Sequence, residues 1–159
     1  MNRTDEEERV LASALRSLGR RPHSVYELKI KLLRKGMDDE AVNSVLNRLC
    51  EDKYLDDLDF AKRFVEYGLI KKLWGQMKVR AELQRRGVAR EIVDELLAHP
   101  DVIEKEILGA RRFIEKKYSF ENQNGEDFDK RLKNEIISKL KRRGYSWDII
   151  GEIIRDLWS

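Results

Sequence analysis

Three basic triplets, each ending in glycine, carry the most regular chemistry in this 159-residue sequence: Arg34-Lys35-Gly36, Arg85-Arg86-Gly87 and Arg142-Arg143-Gly144. Adjacent cations on a turn suit anions presented in a row, such as nucleic-acid phosphates or an acidic protein surface. The same residues also have a use within the fold. Basic side chains in a last helical turn favour the negative end of the helix dipole, and a following glycine permits the left-handed conformation that ends a helix. Spacing alone supports both uses.

Other chemistry is sparse. The glycines are scattered and form no phosphate-cradling loop. His23 and His99 stand beside Pro22 and Pro100, with no cysteine or paired carboxylate at ligand spacing, and read as turn or cap residues. Asp56, Asp57 and Asp59 precede an apolar stripe beginning at Phe60, where acids suit a helix N-terminus. The single cysteine, Cys50, follows Val45, Leu46 and Leu49 and reads as a buried thiol. No nucleophile, base and orienting partner occur as a set, so catalysis, a cofactor and a metal are not expected.

Charged residues make up 40% of the chain, yet the formal net charge is only +3, so distribution carries the information. Residues 71–90 hold Lys71, Lys72, Lys78, Arg80, Arg85, Arg86 and Arg90 against Glu82 alone. Residues 130–143 are similarly basic, with Glu135 as their one acid. Residues 51–59 are acidic, with Lys53 as the exception. No run approaches the roughly 20 apolar residues needed to cross a bilayer. The polar, acidic start from Met1 to Glu8 resembles no targeting peptide, so a cytoplasmic setting is expected, and the chain is separately expected to be a monomer.

The elements that position the triplets are helices. The triplet glycines lie 51 and 57 residues apart (36 to 87, then 87 to 144). After each glycine an apolar pattern restarts: Ala41, Val42, Val45, Leu46; Ile92, Val93, Leu96, Leu97; Ile149, Ile150, Ile153, Ile154. Such spacings mark a helix burying one face. Before each glycine, Leu28 and Leu32, Val79 and Leu83, and Ile136 and Leu140 repeat at helical spacing. A further stripe opens each unit: Val10, Leu11, Ala14, Leu15, Leu18; Phe60, Ala61, Phe64, Val65; and Ile103, Ile107, Ala110, Ile114. Capping-box spacing appears at Ser24 and Glu27 and at Asp101 and Glu104, while Ser119 to Asp127 reads as a polar loop. The expected fold is all-α: three tandem three-helix repeats (nine helices) in an elongated, curved row, with units at 1–53, 54–99 and 100–159.

Longer runs resemble a known family. Ala14 to Leu28, with Arg20-Arg21-Pro22-His23-Ser24 at its centre, leads to Leu32-Leu33-Arg34-Lys35-Gly36. Together with Tyr54-Leu55-Asp56-Asp57, Phe60-Ala61, Phe64-Val65, Trp74-Gly75, Glu82-Leu83 and Arg86-Gly87-Val88, it resembles the bacterial RecX regulatory family. The likeness runs from about Leu11 to the C-terminus and is strongest from Ala14 to Leu97. It implies tandem three-helix units that bind the groove of the RecA–DNA filament and inhibit recombination, ATP hydrolysis and co-protease action. Where relatives commonly carry a basic residue, this chain has Tyr67-Gly68, and Gly68 is expected to bend or fray its helix.

The resemblance and the repeats together nominate Arg34, Lys35, Lys78, Arg85, Arg86, Lys141, Arg142 and Arg143 as a surface for RecA or for DNA phosphates. Asp57, Phe60 and Ala61 are assigned to cap and core. Trp74 is expected to pack the joint between units and Trp147 to cover the last core from its edge, with base stacking as the alternative. The main competing reading is a RecA-independent helical DNA-binding protein. The acids after each turn, Asp38-Asp39-Glu40 and Asp94-Glu95, disfavour base-edge readout but leave backbone contacts open.

Overall fold

A computed structural model of the chain describes residues 2–118 and 126–159. Among these, nine α-helices form and no strand does: α1 (Arg3–Arg20), α2 (Val25–Arg34), α3 (Asp39–Glu51), α4 (Asp57–Glu66), α5 (Gln76–Arg85), α6 (Arg90–Leu97), α7 (Pro100–Lys117), α8 (Glu126–Arg142) and α9 (Trp147–Trp158). The loop expected at Ser119 to Asp127 lies outside the described residues up to position 125, and α8 already begins at Glu126. No helix of the described residues is long and apolar enough to cross a membrane.

Each group of three helices closes on its own apolar cluster. Leu28 and Leu32 of α2, Val79 and Leu83 of α5, and Ile136 and Leu140 of α8 are all fully buried. A fully buried leucine contributes roughly 1.5–3 kcal/mol, which outweighs the intrinsic propensity of such short helices. Phe60 and Ala61 join the second core, as expected. Two stripe residues do not follow the pattern: Leu15 and Ile103 are exposed.

Local caps fix where the helices start. Ser24 forms a complete capping box with Glu27. Asp38 and Asp56 accept the N–H groups of Ala41 (3.0 Å) and Asp59 (3.1 Å). At α7 the cap lies two residues earlier than the Asp101–Glu104 spacing suggests. Pro100 is the first helical residue, and His99 Nδ1 accepts from Asp101 N–H at 3.3 Å. The bend expected at Gly68 is a π-helical turn, Tyr67–Lys71, which prolongs α4. A Cβ on Gly68 would meet Val79 Cγ2 at 2.8 Å, so its absence lets this turn close on α5.

The units meet through a repeated joint. The Ser24 hydroxyl, at the start of α2, donates to the Arg86 carbonyl (2.5 Å), and Val25 N–H donates to Asp57 Oδ1 (2.9 Å). At the start of α5, Gly75 N–H donates to the Arg143 carbonyl (2.8 Å) and Gln76 N–H to Glu106 Oε1 (2.9 Å). The basic turn of one unit therefore seats on the N-terminus of the second helix of the unit before. The second joint also carries helix packing, of α7 on the π-helical turn and on α6. Across the first joint no helix pair makes an extended contact.

Candidate functional site

All three basic turns have the same backbone. Gly36, Gly87 and Gly144 adopt φ of 79°, 73° and 88°. Met37, Val88 and Tyr145 N–H groups donate back to the carbonyls of Leu32 (3.4 Å), Leu83 (3.1 Å) and Leu140 (3.2 Å). With the glycine N–H groups bonded to Leu33, Gln84 and Lys141 carbonyls, each turn is a Schellman motif. The left-handed glycine thus lets the last carbonyls find donors, while the basic side chains project from the closing turn.

The joints string these turns into a row. α2 runs from Ser24, seated on the second turn, to the first turn at Gly36; α5 runs from Gly75, seated on the third, to the second at Gly87. Each helix is 10 residues long, so successive turns stand about 15 Å apart at 1.5 Å per residue.

Arg34 and Lys35 of the first turn and Arg85 and Arg86 of the second line one groove of about 620 Å³. Arg21, Lys31, Tyr26, Ile30 and His23 complete its walls together with one carboxylate, Glu27. Arg34 and Lys31 have no carboxylate at ion-pair distance among the described residues, whereas Lys35 Nζ donates to Ser13 Oγ at 3.0 Å. Arg85 is exposed and bonds Glu82 at 2.8 Å. Such one-sided surface pairs leave the guanidinium open to an anion.

The remaining candidates divide. Arg86 is a joint residue: it bonds Glu82 (2.5 Å), reaches Glu27 (3.3 Å) and covers the Phe64 ring at 4.6 Å. Arg86 is also the largest reason that the Glu82 carboxyl sits below its ordinary range. Arg143 is likewise built in, donating to the Leu73 carbonyl at 2.9 Å and to the Lys72 carbonyl, with its guanidinium over Phe113. Lys78 lies over Trp74, at 4.9 Å, and Lys141 over Trp147, at 4.8 Å. Arg142 is exposed beside the third turn. Trp74 packs with Phe64 in the second core, whereas Trp147 is 62% exposed and does not pack on the last core.

Residues 11–49 match the family model described as RecX, first three-helix domain, and residues 56–97 match RecX, second three-helix domain. The chain belongs to the RecX family. It is 35% identical to the regulatory protein RecX of Pelodictyon phaeoclathratiforme over 89% of this chain and 84% of that one. It is also 35% identical to that of Chlorobium limicola, over 93% and 89%. The fold matches the crystal structure of RecX from Lactobacillus salivarius with a TM-score of 0.75 at 20% identity, covering 97% of both chains. A second RecX crystal structure gives a TM-score of 0.79 at 21% identity, over 96% of this chain and 74% of that one.

The two matched segments correspond to α1–α3 and α4–α6, the units whose turns share the groove. Tyr26, Ile30 and Arg21 were absent from the sequence-based set. Tyr26, Ile30 and Arg34 recur every four residues on the face of α2 opposite Leu28 and Leu32, a signal the sequence does contain. Arg21 joins only through the joint.

Proposed function

We propose that the chain binds the filament that RecA forms on DNA and restrains its recombinase, ATPase and co-protease activities, and thereby DNA repair and the SOS response. The observation that carries this reading is the row of basic turns, set about 15 Å apart by α2 and α5. A periodic partner meets a periodic surface several times at once, so individually weak contacts add through effective concentration. Family membership supplies the regulatory role, and RecA is the partner the resemblance implies.

The test is RecA-driven ATP hydrolysis on single-stranded DNA, with the chain at substoichiometric amounts. A concentration-dependent fall in hydrolysis is the expected result; an unchanged rate across a wide range removes the reading. The alternative, a DNA-binding protein acting without RecA, is favoured by the same groove, whose cations would also fit a phosphate backbone. Mobility shifts with bare DNA and with RecA filaments separate the two, since tight binding to bare DNA alone belongs to the alternative.

A further inference from the structure

On the far side of the Arg21–Glu27–Arg86 contacts from the basic groove, α1 and α4 diverge and leave a cleft. One section, of about 510 Å³, is lined by Leu15, Gly19, Pro22 and Tyr54 and reaches Phe60. It continues past Phe60 into a section of about 610 Å³, lined by Phe64, Tyr67 and three arginines. Leu15 (41%) and Tyr54 (65%) are exposed along it, although Leu15 belongs by spacing to a buried stripe. The floor is an aromatic ladder, with Phe60 and Phe64 stacked at 6.1 Å and Tyr67 at 6.4 Å from Phe64.

Charge is sorted along the cleft. The Tyr67 section presents Arg21, Arg63 and Arg86 with no carboxylate in its lining. The opposite section presents Lys53 together with Asp56 and Asp59; Arg63 lines both sections and pairs with Asp59 at 3.0 Å, an exposed pair that leaves guanidinium donors over. Glu27 holds Arg21 at 3.2 Å and Arg86 at 3.3 Å, which fixes both guanidinium groups without using all their donors.

We propose that this cleft docks an acidic peptide segment, centred on an apolar side chain, of the protein component of the filament. The apolar residue would lie on the Phe60–Phe64 floor and the carboxylates would meet Arg21 and Arg63. Nucleic acid fits this cleft less well. Arg86 lies over the Phe64 ring and Phe60 is 8% exposed, so these two rings line the cleft without an open face for a base. Asp56 and Asp59 would also repel phosphates at the other end. The chain would then read a nucleoprotein with two surfaces, protein in the cleft and phosphate in the basic groove. This inference rests on the proposed function.

The experiment places p-benzoylphenylalanine at Leu15 in the full chain and irradiates it with RecA filaments on single-stranded DNA. An adduct to RecA, mapping to a segment rich in Asp and Glu around an apolar residue, is the expected result. Gly19→Phe should fill the cleft, because a Cβ at Gly19 meets nothing within 4 Å. It should reduce both adduct and inhibition by about tenfold with an unchanged melting curve. Arg63→Glu serves the same purpose if the glycine variant fails to fold. Adducts to the DNA, or no adduct from a chain that still inhibits, overturn the cleft assignment and leave the proposed function standing. If the unmodified chain neither binds nor inhibits the filament, the proposed function fails and the inference falls with it.

Discussion

Asp57 and Glu106 do the same job one unit apart: each carboxylate comes from the first helix of its unit and accepts the first N–H of the preceding unit's second helix. Asp57 takes Val25 N–H and Glu106 takes Gln76 N–H, both at 2.9 Å, and Val25 and Gln76 are equivalent positions 51 residues apart (25 to 76). A helix N-terminus carries unsatisfied donors and partial positive charge, so a carboxylate from the next unit is a specific fastener for it. The same contact made twice gives successive units one way to dock.

Removing either fastener should loosen a joint without melting a core. Asp57→Ala and Glu106→Ala are each expected to cost about 1–3 kcal/mol, the range for leaving a buried donor unpaired. Burial raises both carboxyls above their ordinary values. For a raised acid, the native state favours the proton: that stabilisation is full below the unfolded value and is lost as pH rises through the folded one. Glu106→Gln keeps an acceptor for Gln76 N–H and cannot ionise. Its stability relative to the parent should therefore improve as pH rises through the folded value, as read by urea unfolding across pH 4 to 8.

His23 gives the opposite dependence. The ring is buried, Nδ1 donates to the Arg21 carbonyl at 2.9 Å, and Nε2 has no hydrogen-bond partner among the described residues. Burial is the main cause of its lowered pKa, with Arg21 and Lys31 adding repulsion. The neutral ring is the native form, so its contribution is present above the ordinary value of 6.5 and is lost as pH falls through the folded one. Unfolding curves at pH 7.5 and 5.5 should show acid destabilisation that shrinks in His23→Ala.

The three turn glycines should not be equally sensitive. A Cβ at Gly36 meets nothing within 4 Å, so Gly36→Ala pays only for left-handed backbone, about 1–2 kcal/mol. At Gly87 the added carbon would overlap the Tyr26 side chain, and at Gly144 the Lys78 backbone. Gly87→Ala and Gly144→Ala should therefore lower the melting temperature further than Gly36→Ala. Equal losses at all three would argue against tight joints.

Charge reversals should separate groove from joint. Arg34→Glu and Arg85→Glu alter exposed groups and should weaken the proposed RecA inhibition and flatten its salt dependence, with circular dichroism and melting unchanged. Arg86→Glu removes a cation held between Glu27 and Glu82 and leaves those carboxylates facing a third. A loss of about 1–3 kcal/mol of stability should accompany any functional effect there.

The sequence by itself determined the helices and their grouping, because helical periodicity and the glycine ends are local properties. Leu28 with Leu32, and Val79 with Leu83, could be placed in cores from a spacing of four, and Gly36, Gly87 and Gly144 in left-handed turns from position alone. It also contained the RecX pattern. Only the tertiary structure decided which charges are free. Arg85 and Arg86 are neighbours in one triplet, yet one faces solvent and the other is locked between two carboxylates and a ring, since Glu27 reaches Arg86 only when the units dock. Leu15 looks like core by spacing, and stands exposed because α4 diverges from α1 beyond the joint. Contacts of that kind join residues far apart in the chain, and no local pattern encodes them.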